Sequence, residues 1–115
     1  MMEELARIRL TDMIEYATKA VDMLGDRTPD QLESDDIRLL AVTRAVQIVG
    51  EAARKVPPSV RARAPTIAWR LSVGMRNTLV HDYGDVDVGL LVATVRNDFP
   101  PLIAALERLL GEQDT

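Results

Sequence analysis

The stretch GMRNTLVHDYGD, residues 74–85, gathers side chains that can transfer a proton and bind an anion. It holds the chain's only histidine, His81, with Asn77 four residues before it and Tyr83 two residues after it. Histidine exchanges a proton near neutral pH, because its unperturbed pKa is about 6.5. Arg76 stays protonated and presents a planar fork that fits phosphate oxygens. These residue types indicate chemistry on a phosphodiester.

The spacing decides which of these side chains share a face if the stretch is helical. Each helical residue turns by about 100°, so Asn77 and His81 stand one above the other. Arg76 and Tyr83 also align, whereas Arg76 and His81 point about 140° apart and would reach one pocket from two sides. A purely structural interpretation stays open, in which His81 bonds the last carbonyls of a helix and Tyr83 packs at its end.

Carboxylates at metal-ligand spacing are missing from the cluster. Asp82, Asp85 and Asp87 follow on a turn without a supporting histidine, so we expect no metal and no cofactor. Cleavage of RNA by its own 2′-hydroxyl fits these residues better. That reaction is best served by one base and one acid, and the chain has one histidine. We therefore expect a homodimer whose two-fold symmetry brings two clusters to a composite cleft.

The charge of the chain is distributed unevenly around this cluster. No acidic residue occurs from Ala52 through His81, and six basic residues give that segment +6, so a net charge of −4 leaves −10 for the remainder. These basic residues are Arg54, Lys55, Arg61, Arg63, Arg70 and Arg76. Either the segment faces an anionic partner or its arginines are simply solvated. Its position directly before the cluster favours the first interpretation.

The length and composition of the chain limit the class of protein to which it can belong. The 115 residues predict a single domain, 1–115, and 47% apolar residues predict a globular one. The absence of cysteine excludes disulfides, thiolate metal sites and cysteine nucleophiles. The N-terminus has no apolar signal region, and no apolar run approaches the roughly 18 residues that span a bilayer. We expect a cytoplasmic protein with no membrane partner.

Apolar periodicity predicts an all-α, antiparallel, up-and-down four-helix bundle with helices over about 2–24, 34–56, 67–82 and 88–110. Ser34, Thr66 and Asp87 are the expected N-caps, and Gly25 is expected to end the first helix. Thr28-Pro29 can start a short extra turn. The sequence DFPP, 98–101, should break or kink the last helix, since prolines cannot donate its hydrogen bonds.

Three further features of these helices bear on the candidate site. The second helix has a wide apolar stripe, which indicates packing against two neighbours or against another subunit. Glu51 lies inside that stripe, either at an exposed edge or as a buried partner for an arginine such as Arg76. Trp69 is interpreted most simply as a core residue.

The sequence RNTLVHDY, 76–83, resembles the Arg-polar-x-x-x-His motif of the HEPN superfamily, in the form ending x-Tyr seen in HepT-like toxins. The segments IVGEAARKVP at 48–57, PTIAWRLSVGMRNTLVHDYGDVD at 65–87 and RNDFPPLIAALERLL at 96–110 are similar to that family in the same order. Together they cover nearly the whole chain, which makes the resemblance much more specific than the motif alone.

The resemblance implies a dimeric HEPN-like helical fold and a metal-independent endoribonuclease, the toxin of a type VII-like toxin–antitoxin module. It implies that Arg76 holds the scissile phosphate, Asn77 supports the cleft and His81 is the acid or base. It also implies a partner, a minimal nucleotidyltransferase antitoxin that silences the toxin by transferring AMP to Tyr83. The substrate would be an RNA, such as tRNA or mRNA.

Two other functions remain as alternatives. One is a non-catalytic HEPN dimer that binds a nucleotide or its nucleotidyltransferase partner without cutting RNA. The other is a plain structural bundle. Asp82, Asp85 and Asp87 place acidic charge beside the motif, which weighs against tight RNA binding and fits docking to a basic antitoxin surface.

Overall fold

The computed structural model describes residues 4–67, 69 and 86–113, and every regular element in these ranges is a helix. The elements are α1 (Glu4–Leu24), α2 (Pro29–Glu33), α3 (Asp36–Arg54), α4 (Pro58–Arg61), α5 (Val88–Ala93), a π-helical turn (Thr94–Asp98) and α6 (Phe99–Gln113). The all-α class expected from the sequence is confirmed. No helix in the described ranges is long and apolar enough to cross a membrane.

Helix α1 and the short α2 follow their sequence signals closely. The buried residues of α1 recur at intervals of three and four: Ala6, Leu10, Met13, Ala17, Ala20 and Leu24. Gly25 ends the helix with a φ of 56°, a left-handed conformation that glycine adopts without steric cost. Thr28 caps α2 through a reciprocal capping box with Gln31, and Pro29 occupies its first turn. Both predicted features are confirmed.

Helix α3 begins one residue later than the sequence indicated. The prediction of Ser34 as its N-cap is wrong, because Ser34 closes α2 by donating its backbone N–H to Asp30. Asp35 caps α3 instead, and its carboxylate accepts the backbone N–H of Arg38 at 3.1 Å and the Arg38 Nε at 3.2 Å. These bonds, the backbone one first, lower the pKa of Asp35. The helix ends at Arg54, before the predicted Val56.

Long-range hydrogen bonds define how the helices run. Arg38, near the start of α3, donates to the carbonyl of Met23, near the end of α1, at 2.8 Å. Arg96, in the π-helical turn, donates to the carbonyls of Gly25 and Arg27 at 2.9 and 2.8 Å. The start of α3 and the π-helical turn therefore lie at the end of α1. Because α3 and α6, the helix that follows the turn, also pack along α1, both run antiparallel to it.

The C-terminal run is interrupted at Thr94–Asp98, directly before the prolines of the break predicted at 98–101. Asp87 caps α5 by accepting the Leu90 N–H at 3.0 Å, as expected. The π-helical turn then shifts the bonding by one residue, so that the Phe99 N–H donates to the carbonyl of Thr94. This wider turn directly precedes Pro100 and Pro101, which have no N–H to donate to the helical hydrogen bonds. Phe99 itself is completely buried.

The chain between α3 and the motif segment, which carries RNTLVHDY at 76–83, contains one helix that the sequence did not indicate. The short α4 was not predicted, although Pro58 at its first turn was a usable signal. The predicted helix over 67–82 lies almost entirely outside the described residues, and its existence stays a prediction. Of its start, the structure shows Thr66 exposed and Ile67 buried, with the Ile67 N–H donating to the carbonyl of Ala64.

Candidate functional site

The four motif residues, Arg76, Asn77, His81 and Tyr83, lie outside the described residues. Their roles therefore stay predictions from the sequence. The described structure shows how the chain enters and leaves the segment that carries them.

The entry begins with Arg61, whose guanidinium binds three backbone carbonyls at the end of α3 and just after it. Its Nε donates to the carbonyl of Val56 at 2.9 Å, and its Nη2 donates to those of Arg54 at 2.9 Å and Ala53 at 3.3 Å. The last carbonyls of a helix carry partial negative charge, so a cation that bonds to them is favourable at this position. Arg61 thereby attaches α4 to the end of α3.

Trp69 fixes the next few residues. It is 8% exposed, within the hydrophobic core, which confirms its interpretation as a core residue. Its indole Nε1 donates to the carbonyl of Ala64 at 3.1 Å. Buried indole N–H groups generally require such a partner. Arg76 is the seventh residue after this anchored tryptophan in the sequence.

The exit is held by the start of α5. Val86 and Val88 are partly buried against the core, while Leu91 and Val92 are fully part of it. Between the two valines, Asp87 is exposed and serves as the N-cap. Asp87 belongs to the acidic charge beside the motif, and the structure gives it a structural role.

Glu51 occupies the edge of α3 and is not deeply buried. Its side chain is 36% exposed, and its carboxylate accepts a hydrogen bond from Arg44 Nη1 at 3.2 Å. Of the two interpretations, the structure supports the edge position, with Arg44 as the arginine partner. Residues seven apart share a face after two turns, a signal that was present in the sequence. A pair this exposed contributes little to stability, typically about 0–1 kcal/mol.

The wide apolar stripe of α3 is only partly covered. Its inner residues Val42, Ala45, Val46, Val49 and Ala52 are buried in the core. Ile37 is 83% exposed and Leu40 is 69% exposed, and both lie on the same face as Arg44 and Glu51. Large apolar side chains exposed together mark an interaction surface more often than chance.

Similarity to known proteins extends over most of the chain. The sequence profile described as "Ribonuclease HepT-like" matches residues 13–109. The chain belongs to the HepT-like ribonuclease family. This membership confirms the family, the all-α HEPN-like fold and the enzyme class that the motif indicated. No solved structure matches the chain significantly.

Two curated relatives show how far the likeness to this HepT-like chain extends. "Probable ribonuclease HepT" of Thermococcus cleftensis is 33% identical over 102 residues, which cover 85% of this chain and 93% of the relative. "Putative RNase MJ1380" of Methanocaldococcus jannaschii is 32% identical over 98 residues, which cover 85% of this chain and 90% of the relative. Both alignments therefore span most of this chain and nearly the whole of each relative.

Proposed function

We propose that this HepT-like chain is a metal-independent endoribonuclease in which Arg76 and His81 carry the reaction. The observation that carries this proposal is the family match over residues 13–109, which contains the whole motif. One His81 removes the proton from the 2′-hydroxyl of RNA, whose oxygen then attacks the adjacent phosphorus. Arg76 stabilises the charge that develops on the phosphate, and Asn77 supports the cleft. The 5′-oxygen leaves and takes up a proton.

The second proton transfer requires a second group, and we propose that it comes from another copy of the chain. A two-fold dimer would place two His81 side chains in one cleft, one as base and one as acid. The uncovered face of α3 supports this proposal, because Ile37 and Leu40 are exposed in the single chain. Burying them would contribute to association through the hydrophobic effect. Glu51, on the same face, would support the cleft.

We further propose that the protein is the toxin of a toxin–antitoxin pair whose antitoxin is a minimal nucleotidyltransferase. That partner would transfer AMP to Tyr83, releasing pyrophosphate from ATP and forming a phosphodiester to the phenolic oxygen. A bulky anion on Tyr83 would compete for the phosphate site of Arg76 by charge and by volume.

Cleavage of total cellular RNA and of tRNA in EDTA tests the catalytic proposal. The expected result is cleavage by the unmodified wild type, strongly reduced cleavage by His81→Ala, Arg76→Ala and Asn77→Ala, and unchanged cleavage by Asn97→Ala. Asn97 is the matched control, because it is the chain's other asparagine and is exposed in the π-helical turn. Absence of cleavage by the unmodified wild type would overturn the proposal and favour the non-catalytic dimer.

Mass spectrometry after co-expression with the neighbouring gene tests the modification. An AMP adduct on wild type and on Tyr16→Phe, and no adduct on Tyr83→Phe, would agree with the proposal. Tyr16, the other tyrosine of the chain, lies partly buried on α1. An adduct that persists in Tyr83→Phe, or its absence from wild type, contradicts the assignment.

A further inference from the structure

The end of the molecule where α3 leads into α4 carries a group of cations that the catalytic proposal does not use. We call this group the basic end: Arg54, Lys55, Arg61, Arg63 and Arg108. Arg54 and Lys55 are exposed at the C-terminus of α3. Arg61 is tied to the carbonyl of Arg54. Arg108, on α6, faces the same hollow as Arg63.

Acidic side chains balance only part of this charge. Glu112 lines the hollow, and Glu107 precedes Arg108 on α6. Glu51, the acidic residue closest in sequence to the end of α3, is engaged by Arg44. Within the described ranges, Arg54, Lys55 and Arg108 form no ion pair. The chain as a whole has a net charge of −4, so this positive surface stands out against an acidic protein.

The hollow at the basic end has a volume of about 210 Å³. Ala64, Ala105 and Leu109 supply apolar surface, while Arg63, Arg108 and Glu112 supply charged groups around it. Drug-sized ligands occupy pockets of roughly 300–1,000 Å³, so this smaller space suits a single planar ring. Guanidinium groups stack on nucleobases, and a carboxylate can accept a hydrogen bond from an amino group on the base edge.

We propose that the basic end is a subsite for single-stranded RNA, in which the hollow holds one unpaired base and Arg54, Lys55 and Arg108 contact flanking phosphates. Cations along the backbone combined with a pocket for a splayed base are the usual means of binding single strands. This inference rests on the proposed ribonuclease function and adds where the substrate is held away from the cleaved bond. An acidic protein surface would satisfy the cations but would leave the hollow without a role.

The chain's two lysines give a matched test, because Lys55 lies in the basic end and Lys19 lies on α1 beside Glu15. Fluorescence anisotropy with a labelled single-stranded RNA measures affinity across salt concentrations, in a His81→Ala background that prevents cutting. For Lys55→Gln and for Arg108→Gln we expect about fivefold weaker binding at about 0.1 M salt and a salt slope smaller by about 0.7, the share of one phosphate contact. Lys19→Gln should change neither quantity.

A further variant tests the role of the hollow independently of the charges of the basic end. Ala105→Met adds side-chain volume inside the hollow without changing any charge, so it should weaken RNA binding and leave the salt slope unchanged. Thermal unfolding followed by circular dichroism checks that each variant is folded.

The outcomes distinguish this inference from the proposed function. If wild type cuts RNA while Lys55→Gln and Arg108→Gln bind it like Lys19→Gln, the subsite is wrong and the ribonuclease proposal stands. If wild type neither cuts nor binds RNA, both are wrong. If Lys55→Gln and Arg108→Gln lose self-association but keep their affinity for RNA, the basic end is a contact between copies of the chain and the inference is overturned.

Discussion

Arg96 and Gly25 are far apart in the sequence but joined in the structure, because the guanidinium Nη2 of Arg96 donates to the Gly25 carbonyl at 2.9 Å. The same nitrogen also donates to the carbonyl of Arg27 at 2.8 Å. These two hydrogen bonds attach the π-helical turn to the end of α1. This contact holds the C-terminal helical run, and with it the exit from the motif segment, in place.

Arg96→Ala should lower the free energy of unfolding by about 1 kcal/mol, because two charge-assisted bonds to partly solvated carbonyls are lost. For a domain of this size, this corresponds to a fall in Tm of about 4 °C. Urea and thermal unfolding measure it. Arg108→Ala, another exposed arginine, is the control and should stay within about 0.5 kcal/mol of wild type. Equal effects of the two substitutions would contradict the role of the Arg96 contacts.

Phe99→Ala should destabilise the protein more than the loss of any single hydrogen bond described above. Phe99 is completely buried directly after the π-helical turn, and truncating a core phenylalanine costs about 3–5 kcal/mol. Phe99→Leu retains most of the apolar volume and should cost less than half as much. Urea unfolding monitored by circular dichroism gives both values. A loss under about 1 kcal/mol for the alanine variant would contradict the central place of Phe99 in the core.

Trp69→Phe tests the anchor before the motif. The substitution keeps an aromatic ring in the core but removes the N–H that Ala64 accepts, so we expect a loss of about 1 kcal/mol. Because Trp69 is the only tryptophan, wild-type fluorescence reports on this one position. Its emission should shift to longer wavelength on unfolding, together with the loss of helical circular dichroism. An emission maximum typical of a solvated indole in the native state would contradict the burial.

Glu51→Gln should leave stability nearly unchanged, because the pair with Arg44 is largely exposed. A double-mutant cycle with Arg44→Gln should give a coupling energy below about 1 kcal/mol. If Glu51 supports the cleft, RNA cleavage by Glu51→Gln should fall even though the stability of the variant is nearly unchanged. Unchanged cleavage would remove Glu51 from the candidate site.

The pH dependence of stability should include a contribution from Asp35. Its pKa is lowered by the Arg38 backbone N–H, then by the Arg38 guanidinium and by the charge of Arg27. The unfolded chain then takes up the proton first as the pH falls. The contribution of Asp35 to the free energy of unfolding is therefore complete above the pKa of the carboxyl in the unfolded chain, about 3.9. The contribution declines as the pH falls below that value, and it is lost below the pKa of Asp35 in the folded chain.

Asp35→Asn is the matched variant, because asparagine also caps helices well but does not titrate. Its stability relative to wild type should rise as the pH is lowered from about 6 toward about 3. Urea unfolding at a series of pH values measures this difference. A difference that does not depend on pH would contradict the assignment to Asp35.

Much of the helical architecture could be predicted because its signals are local. Gly25, the Thr28 capping box and the Asp87 cap act within a few residues, and the apolar spacing of α1 follows from the helical repeat. The N-cap of α3 was placed wrongly because Ser34 and Asp35 are both good caps. In the structure Ser34 ends α2, and Asp35 caps α3 next to Arg38, whose side chain also reaches the end of α1.

The family, the long helices α1 and α3 and the grouping of Arg76, Asn77, His81 and Tyr83 in one segment could all be inferred from the sequence alone. Three arginine contacts became visible only in the folded chain: Arg96 bonds to Gly25, Arg61 bonds to the end of α3, and Arg63 and Arg108 line one hollow. The two kinds of interaction differ in the sequence distance over which they act. Caps and apolar periodicity depend on neighbouring residues, whereas a long arginine side chain bonds whichever carbonyls the folded chain brings within its reach.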